Sequence, residues 1–268
     1  MKAFITMMLV LSAVVGCSGQ DIWNQVQTAV AEDRDAVSYC RSAFPDAART
    51  PGAPGGWILE PDLGRLCVYG SLEGQDTEEL EAKLRQPQTS VGLMVVRSSG
   101  GPVDPWLAIA EAMGQRKPAL IVDEACYSSC ANYAVPVSSQ LRFFGDALVV
   151  WHGGPTGLLT AAHFGMAVDE YAALATRTDR LYHAHGISPQ LLADTAQPPS
   201  NAQMMTAGRN VAGYAVAPTR LNACYGLGQM SRVRHPGSDA DVLAASERRG
   251  LVFLEFPKTN TWCQADGS

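Results

Sequence analysis

Val91-Gly92-Leu93-Met94-Val95-Val96-Arg97-Ser98-Ser99-Gly100-Gly101-Pro102 is the stretch whose reading decides the fold. Val91 to Val96 is continuously apolar rather than alternating, the pattern of a strand buried on both faces. Ser98-Ser99-Gly100-Gly101-Pro102 breaks that strand, and Pro105-Trp106-Leu107-Ala108-Ile109-Ala110-Glu111-Ala112-Met113 resumes with apolar residues at helical spacing. A second apolar run, Ala119-Leu120-Ile121-Val122, follows. Strand, glycine turn, helix and strand in this order call for right-handed βαβ units, and predict an α/β fold with mostly parallel strands.

Toward the amino end, Leu66-Cys67-Val68-Tyr69-Gly70 predicts an earlier strand and Asp76 to Leu84 a helix. The breaker cluster Pro51-Gly52-Ala53-Pro54-Gly55-Gly56 sets off a first segment in which Ile22, Val26, Val30 and Ala36 lie at the spacing of a modest amphipathic helix, Asp21 to Cys40. Toward the carboxyl end, Leu141-Arg142-Phe143-Phe144 and Ala147-Leu148-Val149-Val150-Trp151 predict two short strands. Ala161 to His185 predicts a helix stopped by Gly186, with Phe164, Val168, Tyr171, Leu174 and Leu181 facing inward. Gln197-Pro198-Pro199-Ser200 reads as a loop, Thr219 to Cys224 as a short helix and Leu251-Val252-Phe253-Leu254 as a late strand.

A formal net charge of -6 with no basic run argues against a nucleic-acid partner. Lys2 followed by the apolar Phe4 to Val15 has the form of an export signal over residues 1–16, too short to span a bilayer comfortably. Val14-Val15-Gly16-Cys17 resembles a bacterial lipobox, which implies acylation of Cys17 and a membrane partner through the lipid anchor; ordinary secretion with cleavage nearby is the alternative. Ser18 after the cysteine implies outer-membrane sorting and a periplasmic-side location. The other six cysteines, Cys40, Cys67, Cys126, Cys130, Cys224 and Cys263, are an even number in an exported chain and point to disulfides, which could pair in many ways. Their spacing lacks the short pairs of a zinc knuckle, so no metal site is expected.

The chemistry-bearing residues are Cys126-Tyr127-Ser128-Ser129-Cys130 and Val149-Val150-Trp151-His152. A strand turning sharply into a helix can expose a serine while its backbone N–H groups point at one spot, and a histidine on a neighbouring strand can take the hydroxyl proton. The same five residues are also what a tight turn held by a Cys126–Cys130 disulfide would show, provided the turn brings the two Cα atoms within about 7 Å. His163, His183, His185 and His235 have no comparable context, and the Ser98 to Gly101 turn lacks the lysine of a phosphate loop.

The order of these motifs resembles the ClpP/crotonase superfamily, more particularly secreted or lipid-anchored bacterial proteins with a Clp-protease-like domain. The resemblance runs from Leu66 to Leu227. Its anchors are Val95-Val96-Arg97-Ser98-Ser99-Gly100-Gly101, similar to the family's strand and Ser-Pro-Gly-Gly turn, then Cys126 to Cys130, Val150-Trp151-His152, and Ala217-Pro218 to Tyr225-Gly226-Leu227. It implies a spiral of βαβ units forming a single main domain at 61–230, after an anchor and helical segment at 17–60 and before an extension at 231–268.

It also implies roles. Ser128 falls at the nucleophile position with the next strand in step, whereas Ser129 needs an earlier gap. His152 is the base, the Ser129 N–H is one oxyanion donor, and Gly100 or Gly101 supplies the other. The segment from Asn210 to Val216 contains no acid, so the group that orients the histidine is Asn210, the preceding acid Asp194, or none, leaving a dyad. The activity implied is that of a serine hydrolase, a peptidase acting on a peptide or protein, with no cofactor. The alternative is a catalytically weak or inactive binding and assembly module; superfamily members commonly form trimers or rings, which implies a homo-oligomer. Export disfavours coenzyme-A chemistry, and no lysine between Lys117 and Lys258 could serve a Ser-Lys dyad.

Overall fold

The computed structural model describes residues 19–49, 53–72, 75–155, 161, 165–196, 213–216, 221, 224–227, 232–234, 239–249 and 252–253. The expected signal segment, Cys17, the 197–200 loop, Asn210 and Cys263 lie outside the described residues.

The fold is α/β and mostly parallel. Its strands are β1 (Gly56–Glu60), β2 (Arg65–Tyr69), β3 (Leu93–Ser98), β4 (Ala119–Tyr127), β5 (Gln140–Trp151), β6 (Tyr214–Ala215), β7 (Arg232–Arg234) and β8 (Val252–Phe253). They form one sheet in the order β1-β2-β3-β4-β5-β6-β8, with β7 also pairing with β5. The central pairs β2 to β3, β3 to β4 and β4 to β5 are parallel, while β1 runs antiparallel to β2 and β6 antiparallel to β5. The helices are α1 (Gly19–Ala43), α2 (Gln75–Leu84), α3 (Val103–Met113), α4 (Ser129–Ala134), α5 (Val168–Ala184), α6 (Gln190–Thr195) and α7 (Asp239–Arg248).

Burial on both faces accounts for the continuous apolar runs. Leu66, Val68, Met94, Val96, Leu120 and Val122 pack on one face with Leu80 and Leu84 of α2 and Trp106, Leu107 and Met113 of α3. Their chain neighbours Cys67, Tyr69, Val95 and Ile121 pack on the other face with Ala36, Val37, Cys40 and Phe44. Each large apolar side chain removed from water contributes roughly 1.5–3 kcal/mol. Both clusters must therefore form for the central strands to be stable.

The sheet crosses both of the boundaries expected at residues 60 and 231. β1 pairs with β2 along its whole length, and α1 is tied to β2 by the Cys40–Cys67 disulfide, whose Cα atoms are 5.7 Å apart. Arg41 of the same helix reaches the fully buried Asp123, donating from Nε at 2.9 Å and Nη2 at 2.6 Å, and Tyr69 donates to the same carboxylate at 2.7 Å. On the carboxyl side, Val242 and Ala245 of α7 cover Leu148 and Val150 of β5, and Arg249 donates to the Glu124 and Asp146 carbonyls.

Two expectations are corrected. The strands at 141–144 and 147–151 are one strand, β5, because Gly145, at φ 61, and Asp146 accommodate a register shift without ending the pairing. The helix expected over Ala161 to His185 is interrupted: Ala161 is helical, residues 165–167 are not, and α5 begins at Val168, itself 78% exposed; the expected inward residue Phe164 lies outside the described residues, and the buried stripe of α5 is Leu174, Thr178, Leu181 and Tyr182.

Candidate active site

Three chain segments converge where β4 ends. Strand β4 stops at Tyr127, Ser128 turns the chain and Ser129 begins α4. Ser128 adopts φ 56 and ψ -126, a region that L-residues with a Cβ occupy only under strain. Several contacts hold it there. Its N–H donates to the Val150 carbonyl at 2.8 Å, its own carbonyl accepts the Asn132 N–H at 2.9 Å, and the Cys126–Cys130 disulfide closes the turn with Cα atoms 5.3 Å apart.

Strand β5 lies beside β4 with Tyr127 opposite Val150 and ends one residue later at Trp151, so His152, the residue that follows, emerges next to Ser128. His152 Nε2 is 2.5 Å from Ser128 Oγ. With the ring proton on Nδ1, the serine hydroxyl donates to Nε2, the arrangement that general-base activation needs. It is Ser128, and not Ser129, whose hydroxyl meets the imidazole: Ser129 is buried and its Oγ donates to the Gly101 carbonyl at 2.9 Å.

The β3 to α3 turn forms the third wall. A Cβ on Gly100, at φ 99, would lie 2.7 Å from the Tyr127 carbonyl oxygen, 2.8 Å from Ser128 Cβ and 2.9 Å from Ser129 N. Only glycine permits this approach to the serine turn. The Gly100 N–H is occupied, donating to Ser98 Oγ at 3.0 Å, while Ser98 donates to the Gly70 carbonyl at 2.5 Å. Among the described residues the Gly101 N–H has no partner, so of the two glycines it is the one with a donor available.

Asp194 does not approach the histidine. Its two carboxylate oxygens accept from Gln190 Nε2 at 2.8 Å and from the Tyr225 hydroxyl at 3.0 Å. Among the described residues, Ser128 is the hydrogen-bond partner of His152. No group of three or more His, Cys, Asp or Glu among the described residues could hold a metal ion.

Sequence reasoning missed the groups that fix the backbone just after His152. Asn132 Nδ2 donates to the Gly153 carbonyl at 2.8 Å, and the Gly153 N–H donates to the buried Thr195 Oγ1 at 3.2 Å. Tyr182 in turn donates to the Asn132 carbonyl at 3.0 Å, and Tyr133 pairs with Thr178 at 3.0 Å. Burial raises the Tyr133 and Tyr182 phenols well above their ordinary value, so both remain neutral. The available signal was an amide inside the otherwise apolar run Cys130-Ala131-Asn132-Tyr133-Ala134. Compared with known proteins, the sequence matches no family model and no curated protein.

Proposed function

We propose that this chain is a serine-type hydrolase of the ClpP/crotonase kind, its βαβ units arranged as that family's spiral, acting on peptide bonds. The observation that carries the reading is the 2.5 Å contact between Ser128 Oγ and His152 Nε2 at a strained strand-to-helix turn. Ser128 attacks the substrate carbonyl carbon while His152 accepts the hydroxyl proton. The carbonyl oxygen, now an anion, is met by the N–H groups of Ser129 and Gly101. Collapse breaks the C–N bond, His152 returns the proton to the leaving amine, and a water activated by the same imidazole hydrolyses the acyl-serine.

A fluorophosphonate probe tests this on the purified full chain. Labelling is expected at Ser128, absent in Ser128→Ala and slowed at least about a hundredfold in His152→Ala, the scale of a lost general base. An unlabelled protein overturns the proposal. One observation favours a second reading, a binding or assembly module on the same scaffold: the lack of an orienting partner for His152 among the described residues. Such a module would bind peptide without turnover, and sedimentation would show the trimer or ring that the resemblance implies.

For location, the two disulfides between described residues, with Cys224 disulfide-bonded as well, fit an oxidising compartment, and no helix among the described residues is long and apolar enough to cross a membrane. Together with the lipobox-like Val14 to Cys17, this supports a protein acylated at Cys17 and held on the periplasmic side of the outer membrane. Cys17→Ser should then move it from the membrane to the soluble fraction, and retention in the membrane would count against the anchor.

A further inference from the structure

Glycines at 100 and 101 let the turn approach Ser128, but they leave the peptide between them poorly restrained. Reversing a peptide plane changes ψ of the residue before it and φ of the residue after it, and neither glycine has a Cβ to oppose the change. A donor whose direction matters needs something else to hold it.

The indole of Trp106 is placed to do so. It is 1% exposed on the first turn of α3, and its Nε1–H donates to the Gly100 carbonyl at 3.0 Å instead of to any group of its own helix. This peptide is trans, so its C=O and N–H point in opposite directions. Drawing the Gly100 carbonyl onto a buried indole therefore turns the Gly101 N–H away from α3. The neighbouring peptide is fixed separately by the bond from Ser129 Oγ to the Gly101 carbonyl, at 2.9 Å. Tryptophan suits the task because its ring nitrogen only donates and its side chain has few rotatable bonds.

We infer that Trp106 is a positioning residue that locks the Gly100–Gly101 peptide so that the Gly101 N–H faces the oxyanion formed at Ser128. The inference rests on the serine-hydrolase reading above. Without the indole donor, the Gly100 carbonyl keeps only a long contact from the Ser98 hydroxyl at 3.4 Å, whose proton goes to the Gly70 carbonyl at 2.5 Å, and turning that peptide over relieves the poorly paired oxygen. The reversed peptide presents an oxygen where the substrate oxyanion needs a donor.

The test replaces Trp106 in the full chain with benzothienylalanine, which keeps the ring shape but lacks the N–H, alongside Trp106→Phe. Fluorophosphonate labelling of Ser128 is expected to slow about tenfold in both, the effect of losing one hydrogen bond of ordinary strength. Carbethoxylation of His152 by diethyl pyrocarbonate, read by mass spectrometry, needs no oxyanion donor and should keep its wild-type rate. Wild-type labelling of the benzothienylalanine protein overturns the role of Trp106 alone. So does a parallel fall in both reactions, which would mean that the substitution disturbs the whole site. A wild-type chain that the probe does not label removes the hydrolase reading, and this inference with it.

Discussion

Ser128→Gly and Ser128→Ala remove the same hydroxyl and should abolish labelling alike, yet they are expected to differ in stability. At φ 56 and ψ -126 a residue with a Cβ stores about 1–3 kcal/mol of backbone strain. Alanine keeps that strain and loses the bond to the exposed His152, worth about 0.5–1.5 kcal/mol. Glycine loses the same bond but relieves the strain, and its greater freedom in the unfolded chain takes back about 0.4–1 kcal/mol. The difference is about 1 kcal/mol in favour of glycine, or a thermal midpoint about 2–4 °C higher for a domain of this size. Circular dichroism melts of the two variants, with disulfides intact, measure it directly. A glycine variant that melts at or below the alanine variant would refute the idea that the turn is held under strain.

Arg41→Ala strips the fully buried Asp123 of its two-pronged partner and leaves it Tyr69; denaturant unfolding should show a loss of about 3 kcal/mol. Cys126→Ala with Cys130→Ala opens a short loop, a separation of 4 residues, so the expected loss of stability is only about 2 kcal/mol. Probe labelling well below the midpoint should nonetheless slow as the turn loosens, and an unchanged rate would show that the remaining hydrogen bonds hold it. Burial, with Lys117 adding to it, lowers the His185 pKa. As the pH falls through about 6.5 the unfolded chain takes up that proton first, so stability present above this pH declines below it. His185→Gln should therefore flatten the fall of the thermal midpoint on the acid side of pH ~6.5.

The parts legible in the sequence are those whose signals are local. The apolar run at 91–96, the turn at 98–102 and the helical spacing to Met113 marked a strand, a break and a helix, although the strand itself is displaced to Leu93–Ser98. Ser128 and His152 were legible through the order and spacing of motifs that resemble a known superfamily; the parallel pairing of β4 with β5 that brings them side by side was not, since β5 reads as two short strands. What stayed hidden depends on partners distant in sequence. Asp123 gives no sign that it is buried, because Arg41 lies 82 residues away. Asp194 looked available for the histidine until Gln190 and Tyr225 were seen to occupy it. Trp106 read as an ordinary apolar helix residue, since sequence does not show where an indole N–H points.

The length of α1 carries a consequence for reach. Its last two turns are fastened to the sheet through Cys40 and Arg41, and Asp33 is already paired with Arg142. The helix from Gly19 to Glu32 precedes these attachments and, at 1.5 Å per residue, extends about 20 Å. Only Ser18 separates its start from Cys17. An acyl group on that cysteine would thus hold the α/β domain on a short stiff post rather than on a slack leash. The Ser128 turn would then stand at a set height above the lipid, and only what passes within that narrow zone would meet it.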